Sequence, residues 1–248
     1  MIEKLKSSFL KGIEVINLYD IDIKGGCLGC IQCGYDYKCA YADKDAFIDF
    51  YNTRLKTADV LIFAGTIQDR YLSSRWKLFF DRGFFNTHTP SFLGKQMGFV
   101  ISGPLGQLPN LRQIFEGYVE WQQANLVDFV TDEYGDSPQM DTTLQNFARR
   151  LVAFSEKDYI KPRTFLGVGG MKIFRDDIWG SLRFPFQADH RFYRNHGFYD
   201  FPQKDYKTRM MVAILILLSK IPTVRKEIYR NKMKEEMVKP LQKILEKM

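Results

Sequence analysis

The sequence predicts an α/β fold, in which a doubly wound parallel sheet is followed by a helical C-terminal extension. The first observation behind this prediction is that short apolar runs alternate with segments of helical periodicity through residues 1–156. Such alternation is typical of parallel strands that are connected by helices. The second observation is that residues 204–248 show helical periodicity alone.

The predicted elements follow one another closely from the first residue. Residues 1–11 have the pattern of a short amphipathic helix, and residues 13–18 that of a strand. Residues 60–64 form a continuous apolar run, which suits a parallel strand buried on both faces. The same criteria predict helices at 45–56, 72–82, 111–123 and 138–156, and strands at 97–102 and 126–131.

We expect two domains, residues 1–156 and residues 157–248. The second is expected to be irregular at first and then to form helices at 204–220 and 223–247, separated at Pro222 because proline resists helix continuation before it. The apolar run 210–218 is too short for a bilayer, which needs about 20 residues. We therefore expect these helices to form a homo-oligomer interface and no membrane span.

The net charge of +7 is concentrated at the C-terminal end of the chain. Residues 204–248 contain twelve Lys and Arg against five Asp and Glu. We interpret this excess as solvated helix faces, since no base-reading motif accompanies it, and we expect no nucleic-acid partner. The N-terminal residues lack the apolar segment of a secretory signal, so a cytoplasmic location is expected.

All four cysteines lie in one short segment, at Cys27, Cys30, Cys33 and Cys39. The first three, in two steps of three residues, form a C-x2-C-x2-C run that is typical of iron–sulfur ligation, and the fourth follows six positions later. Zinc sites usually place a dozen or more residues between two cysteine pairs. The spacing therefore favours a [4Fe–4S] cluster, with metal-free thiols and zinc as alternatives.

Few other side chains indicate chemistry, and no catalytic residue is expected. Among the three histidines, His88 is expected in a surface loop because nothing nearby in sequence would fix its tautomer. The acidic residues of segment 132–136 are expected to cap the helix at 138–156.

At three stretches the chain resembles the iron–sulfur flavoproteins, within the wider NAD(P)H-dependent FMN reductase family of flavodoxin-like proteins. The first stretch is the cysteine segment 27–39. The second is the strand at 58–63, which leads into the Ser-x-x-x-Lys-x-Phe-x-Asp-Arg pattern of residues 73–82. The third is Gly94-Lys95 and the strand that ends in Ser102-Gly103-Pro104.

The resemblance implies two cofactors and an electron-transfer function. It implies a [4Fe–4S] cluster on the four cysteines, FMN held by two loops, and NAD(P)H as a possible donor. Electrons would then pass between a two-electron donor and a one-electron partner protein, in a homo-oligomer. The flavin-binding residues implied are Gly65, Thr66, Ile67, Gln68, Arg70, Leu72, Ser73, Ser102, Gly103 and Pro104.

The chain also departs from the family pattern. Thr66 and Gln68 stand where the family usually has a proline and an aromatic residue, and Arg70 replaces a usual glycine. Arg70 is expected either to point at an anion or to pair with Asp69 at the surface. A flavodoxin-like sheet has the strand order 2-1-3-4-5 with the phosphate loop after the first strand. That strand and loop have no counterpart here, so we expect an N-terminally truncated version of the fold.

Two alternative functions remain open at this stage. One is an NAD(P)H-dependent FMN or quinone reductase whose cysteine segment carries no cluster. The other is a truncated, non-catalytic interaction module, which the missing phosphate loop favours.

Overall fold

The computed structural model describes residues 1–200 and 204–246. Its contacts divide the chain into two units whose segments interleave along the sequence. The first unit comprises Met1–Ile23, Asp45–Phe80 and Pro90–Gly170. The second comprises Lys24–Lys44, Asp81–Thr89 and the chain from Met171 onward. The domain boundaries drawn from the sequence stay a prediction.

Helices account for most of the regular structure. The α-helices are α1 (Ile2–Ser7), α2 (Cys33–Asp36), α3 (Phe47–Phe50), α4 (Ser74–Gly83), α5 (Pro109–Trp121), α6 (Ser137–Glu156), α7 (Phe165–Trp179), α8 (Gln187–Asn195), α9 (Tyr206–Leu218), α10 (Pro222–Glu227) and α11 (Met233–Leu245). π-helical turns continue α3 and α10 over Tyr51–Leu55 and Ile228–Lys232. Short 3-10 turns lie at Leu18–Asp20, Phe84–Asn86, Leu105–Gln107 and Ser181–Arg183.

The first unit contains a three-stranded parallel sheet in the order β1-β2-β3. The strands are β1 (Val60–Thr66), β2 (Gln96–Ser102) and β3 (Asn125–Thr131), which confirms the three strands predicted from apolar runs. In the flavodoxin-like order 2-1-3-4-5, the last three strands are consecutive in sequence and adjacent in the sheet. β1, β2 and β3 have the same arrangement. The chain therefore has the predicted α/β fold, consistent with a flavodoxin-like architecture and a helical C-terminal extension.

Helices pack on both faces of the sheet, which explains why its strands are largely apolar. On one face Val100 lies in a core cluster with Leu5 of α1 and Phe147 of α6. On the other face Phe99 stacks on Phe115 of α5, with ring centroids 4.8 Å apart. Gly98 is required on the α6 face, because a Cβ atom there would collide with the Phe147 ring. Helix packing thus fixes the residue types on both faces.

The strand predicted at 13–18 is wrong, because that segment pairs with no described strand. Its backbone makes other hydrogen bonds instead: Arg75 Nε donates to Leu18 O at 2.8 Å, and the Asn17 side chain accepts from Tyr19 N at 3.1 Å. Val15 is 53% exposed. β1 is consequently an edge strand among the described residues, and Trp76 Nε1 donates to its Ala64 O at 3.1 Å.

The irregular segment expected before residue 204 is also partly wrong, since α7 and α8 lie within it. In the first unit, the Glu120 carboxylate accepts hydrogen bonds from Thr164 N at 3.0 Å and Gly167 N at 2.9 Å, which caps the start of α7. Gly167 and Gly170 let the helix approach α5 closely, because a Cβ at Gly167 would lie 2.7 Å from Glu120 Oε2. The glycines serve helix packing here.

The C-terminal helices of the second unit expose much of their apolar surface. Met210, Met211, Ile214 and Leu217 of α9 are all at least 59% exposed. The homo-oligomer interface expected from this run stays a prediction. No helix among residues 1–200 and 204–246 is long and apolar enough to cross a membrane.

Candidate functional site

The four cysteines of the second unit line one concave site. The cavity between them has a volume of about 20 Å³, which is room for about one water molecule. All four cysteines are free thiols: Cys27 is exposed, Cys30 and Cys39 are partly buried, and Cys33 is 7% exposed. The structure thus brings together the four cysteines that lie close together in sequence.

The backbone of the cysteine segment turns sharply on both sides of α2. Ile31 has a φ of 59° before the helix and Tyr37 a φ of 63° after it, and both values lie in the left-handed region. Gly29, at φ 60°, donates from its backbone N to Cys27 Sγ at 3.4 Å. These turns direct the segment around the concave site.

Apolar residues form most of the remaining wall. They come from the cysteine segment and from the 3-10 turn after α4: Leu28, Ile31, Ala40, Phe84 and Phe85. Burial, followed by the charges of the other three cysteines, raises the pKa of the Cys33 thiol well above its ordinary value. Burial also raises the pKa of the Cys27 thiol, and the hydrogen bond from the Gly29 N–H partly offsets this increase. The thiols therefore lie close enough to influence one another electrostatically.

Arg82 contributes a cation to the wall, although sequence reasoning gave it no role there. Its side chain is 1% exposed, and Nη1 donates to Gly25 O at 3.1 Å. Its guanidinium lies over the Tyr41 ring, 4.1 Å from the centroid. Arg82 therefore places a guanidinium on the wall that the four cysteines also line.

The thiols are not arranged around one point. Across residues 1–200 and 204–246, no group of three or more His, Cys, Asp or Glu side chains is placed to hold a metal ion. A single zinc ion needs all its sulfur ligands at about 2.3 Å from one centre. A cluster of four irons bonds each thiolate at a different iron, so it accepts ligands spaced more widely around a cavity. The described chain thus brings four thiols to one cavity without a preformed site for a single metal ion.

His88 is not in the surface loop expected from the sequence; it is buried in the second unit. Its backbone N and its Nδ1 lie 3.2 and 3.0 Å from the Asp189 carboxylate, which is fully buried. Thr87 and Thr89 donate to the same carboxylate through their hydroxyls. Asp189 thus ties down the segment that follows Arg82 and that supplies Phe84 and Phe85 to the cysteine site.

A second connection runs from this segment to the cysteine segment. The Tyr37 hydroxyl shares a hydrogen bond of 2.6 Å with Thr89 Oγ1. Burial, followed by the Asp189 charge, raises the pKa of Tyr37 above its usual range. Tyr37 therefore keeps its proton and links the two segments that form the walls of the cysteine site.

In the first unit, the residues predicted to bind flavin lie where the strands end. Thr66 pairs in register with Ser102, and Ile67 N donates to Ser102 O at 2.9 Å. Gln68 and Arg70 are exposed, whereas Leu72 is 3% exposed and belongs to the core. The remaining members of the set lie along the same two loops: Gly65, Ser73, Gly103 and Pro104.

The Asp132 carboxylate accepts hydrogen bonds from two polar groups of the loop after β2. Ser102 Oγ donates to its carboxylate at 2.6 Å, and Gly103 N donates at 2.8 Å. Desolvation opposes these two hydrogen bonds, which nevertheless lower the pKa of Asp132 below its ordinary value. The expected helix cap is made by Asp136, which accepts from Gln139 N at 2.9 Å. Asp132 instead fastens the loop after β2.

Arg70 lies in a tight turn between Gln68 and Tyr71, whose backbones form an antiparallel bridge. Asp69 and Arg70 have φ values of 46° and 64°, the signature of a type I′ turn, in which glycine is favoured at the second central position. Within the described residues these two side chains form no ion pair with each other. The left-handed backbone conformation of Arg70 explains why glycine would suit position 70.

Arg70→Gly is expected to raise the free energy of unfolding by about 0.5–1 kcal/mol. A non-glycine residue in the left-handed region costs about 1–2 kcal/mol, and the extra freedom of glycine in the unfolded chain offsets part of that gain. Urea unfolding measures the change. Arg112→Gly, in the interior of α5, is the control and should lose about 1 kcal/mol. A loss of stability in Arg70→Gly would contradict the turn assignment.

Comparison with known proteins adds little to this description. No family model and no curated protein matches the chain. One similar solved structure is that of RosB with the bound intermediate OHC-RP (8-demethyl-8-formylriboflavin-5'-phosphate). The two chains are 12% identical, the match covers 71% of this chain and 79% of RosB, and the TM-score is 0.47. A likeness at this level has no bearing on function.

Proposed function

We propose that this chain is an electron-transfer protein that holds a [4Fe–4S] cluster on Cys27, Cys30, Cys33 and Cys39. The observation that carries the proposal is that all four thiols of the chain line one concave, mostly apolar site. When bound, such a cluster supplies one-electron transfer at a potential set by its surroundings. The rest of the site determines those surroundings.

The wall residues suit the charge of such a site. Thiolate ligation requires the cysteines to lose their protons, which burial opposes at Cys33. The Arg82 guanidinium, held by Gly25 O and the Tyr41 ring, supplies positive charge on the same wall. Phe84 and Phe85 limit the access of water, which is one of the factors that set the potential of a cluster.

The cysteine assignment is tested by anaerobic reconstitution with iron and sulfide. We expect about four irons per chain and a broad absorbance near about 400 nm that dithionite bleaches. Cys30→Ser should lose most of both signals because one ligand is removed. Leu28→Ala, which changes the same wall without removing a thiol, is the matched control and should keep them.

Two results would refute the cluster. One is wild-type protein that stays iron-free and colourless after reconstitution, and the other is a Cys30→Ser variant with unchanged iron content and spectrum. Zinc uptake without visible absorbance would identify a different metal. An iron-free protein that still reduces FMN or quinone with NAD(P)H would favour the reductase without a cluster.

We further propose that FMN binds to the loops after β1 and β2, where its role would be to exchange electrons in pairs with a donor such as NAD(P)H. The exposed polar side chains of Thr66 and Gln68 suit the polar edge of a flavin ring. The Asp132 carboxylate does not suit an anionic ligand, because it already holds the Ser102 and Gly103 donors. The present residues therefore fit the flavin ring better than its phosphate.

Asp132→Asn is expected to tighten FMN binding by up to about fourfold, which is the Coulomb effect of one negative charge about 5 Å from another at solvent dielectric and shrinks as the phosphate lies farther from the Ser102 loop. Quenching of FMN fluorescence measures the affinity. Asp136→Asn removes the same charge from the same loop but keeps a good helix cap, so it should change the affinity less. Equal effects of the two substitutions would argue against a flavin at the Ser102 loop.

A further inference from the structure

A second cavity of the second unit lies beside the cysteine segment. One wall comes from residues that lie between the cysteines in sequence, including Gln32 and Lys38. The other wall comes from α10 and the π-helical turn that follows it. Its volume is about 320 Å³, within the range of small-molecule pockets. No cysteine lines this cavity, so it is distinct from the site proposed for the cluster.

The charge of this cavity is strongly unbalanced. Four cations line it, Lys38, Arg225, Lys226 and Arg230, against one carboxylate, Asp36. The one recorded ion pair of this wall, within the described residues, joins Lys38 Nζ to Asp36 at 3.9 Å. Three cations therefore face the cavity without a matching carboxylate. Such an arrangement costs free energy through mutual repulsion, which an anionic ligand would relieve.

Arg225 is held in a defined orientation within the cavity. Its guanidinium lies over the Tyr35 ring, 4.6 Å from the centroid, and Nη1 donates to the Tyr35 hydroxyl at 2.9 Å. Tyr35 in turn packs edge-on against Tyr229, whose hydroxyl donates to Phe184 O at 2.7 Å. A guanidinium has five N–H donors, and its planar fork matches the oxygens of a phosphate group. The cavity thus presents a preorganised donor.

We propose that this cavity binds the diphosphate group of a small molecule. The space exceeds what a single phosphate fills, and three uncompensated cations suit a multiply charged group. Recognition would rest on the phosphates, because the Tyr35 ring is already covered by Arg225 and Tyr229 is 4% exposed. This inference goes beyond the proposed redox function and does not depend on it.

Calorimetric titration of the full chain at low salt tests the proposal, with inorganic pyrophosphate and ADP as separate probes. We expect both to bind, and the Lys226→Gln/Arg230→Gln variant to bind pyrophosphate at least about tenfold more weakly, since two charge-assisted hydrogen bonds are lost. The matched control is Lys220→Gln/Lys243→Gln, which removes the same charge at exposed positions outside the cavity. It should stay within about twofold of the wild type.

The relative affinities of the two probes show whether the site binds a bare diphosphate or a nucleotide. Equal affinities for pyrophosphate and ADP would support a site that reads phosphates alone, and tighter binding of ADP would support a nucleotide. Arg225→Lys keeps the charge and should still weaken binding, because a point charge cannot reproduce the guanidinium fork. Equal losses in both double variants, or binding of hexaglutamate without binding of pyrophosphate, would overturn the proposal, as would no binding at all.

Discussion

Asp189→Ala is expected to lower the free energy of unfolding by about 3–5 kcal/mol, the cost typical of removing one partner from a buried charged network. The carboxylate is fully buried and holds His88, Thr87 and Thr89. Removing it leaves several buried donors without an acceptor, and each of these costs about 1–3 kcal/mol when no water replaces the lost partner. Equilibrium unfolding in urea, followed by circular dichroism, measures the loss.

Two further variants sharpen this experiment. Asp189→Asn keeps one acceptor oxygen and the side-chain volume, so it should lose less stability than Asp189→Ala. Asp141→Ala is the control, because Asp141 pairs with Lys4 at 3.0 Å and both side chains are partly solvated. Its expected change is under about 1 kcal/mol. If Asp189→Ala lost no more than Asp141→Ala, the buried network would not stabilise the fold as described.

The Asp189 variants also bear on the cysteine site. Asp189 holds the segment that supplies Phe84 and Phe85 to the cavity wall. Loosening this segment should lower the iron retained after reconstitution, even at temperatures where the variant is still folded. Iron content per folded chain is the measurement. Full iron retention in a strongly destabilised Asp189 variant would show that the wall forms independently of Asp189.

Gly34→Ala is expected to cost about 1–3 kcal/mol of the free energy of unfolding, the range for forcing extra volume into a packed interior. Gly34 lies in α2 next to Cys33, and an added Cβ would lie well under 3.0 Å from the backbone oxygen of Pro185. A backbone oxygen cannot turn away as a side chain can, so the helix itself would have to move. We therefore expect reduced iron retention together with the loss of stability.

The control for Gly34→Ala is the same substitution at Gly117 in α5. A Cβ at Gly117 meets nothing within 4 Å, so the substitution there should stabilise the helix by up to about 1 kcal/mol. Opposite signs for the two variants would separate steric exclusion from helix propensity. Unchanged stability and iron content in Gly34→Ala would mean that α2 does not pack against Pro185 as the structure shows.

Several features of the fold followed from local sequence. The three strands were recognisable because a parallel strand buried on both faces must be apolar along its whole length, and this requirement is visible residue by residue. The helices α4, α5 and α6 were recognisable from their amphipathic period, with ends displaced by a few residues. The clustering of the four cysteines was also fixed by spacing alone.

Other features depended on residues far apart in sequence. Residues 13–18 have a strand-like pattern, but a strand requires a neighbouring edge, and Arg75 bonds to Leu18 O instead. α7 begins where Glu120 caps it, and its Gly167 is needed only because Glu120 of α5 lies against it. No local pattern in either segment contains this information.

The cysteine site shows the same division. The sequence by itself determined that the four cysteines fall together, because their spacing is local. Only the tertiary structure decided that Arg82 brings a cation to the wall and that Asp189 holds His88, which is about a hundred residues away along the chain. The physical reason is that a buried charge is tolerated only where distant segments bring it hydrogen-bonding partners, and those partners follow from packing.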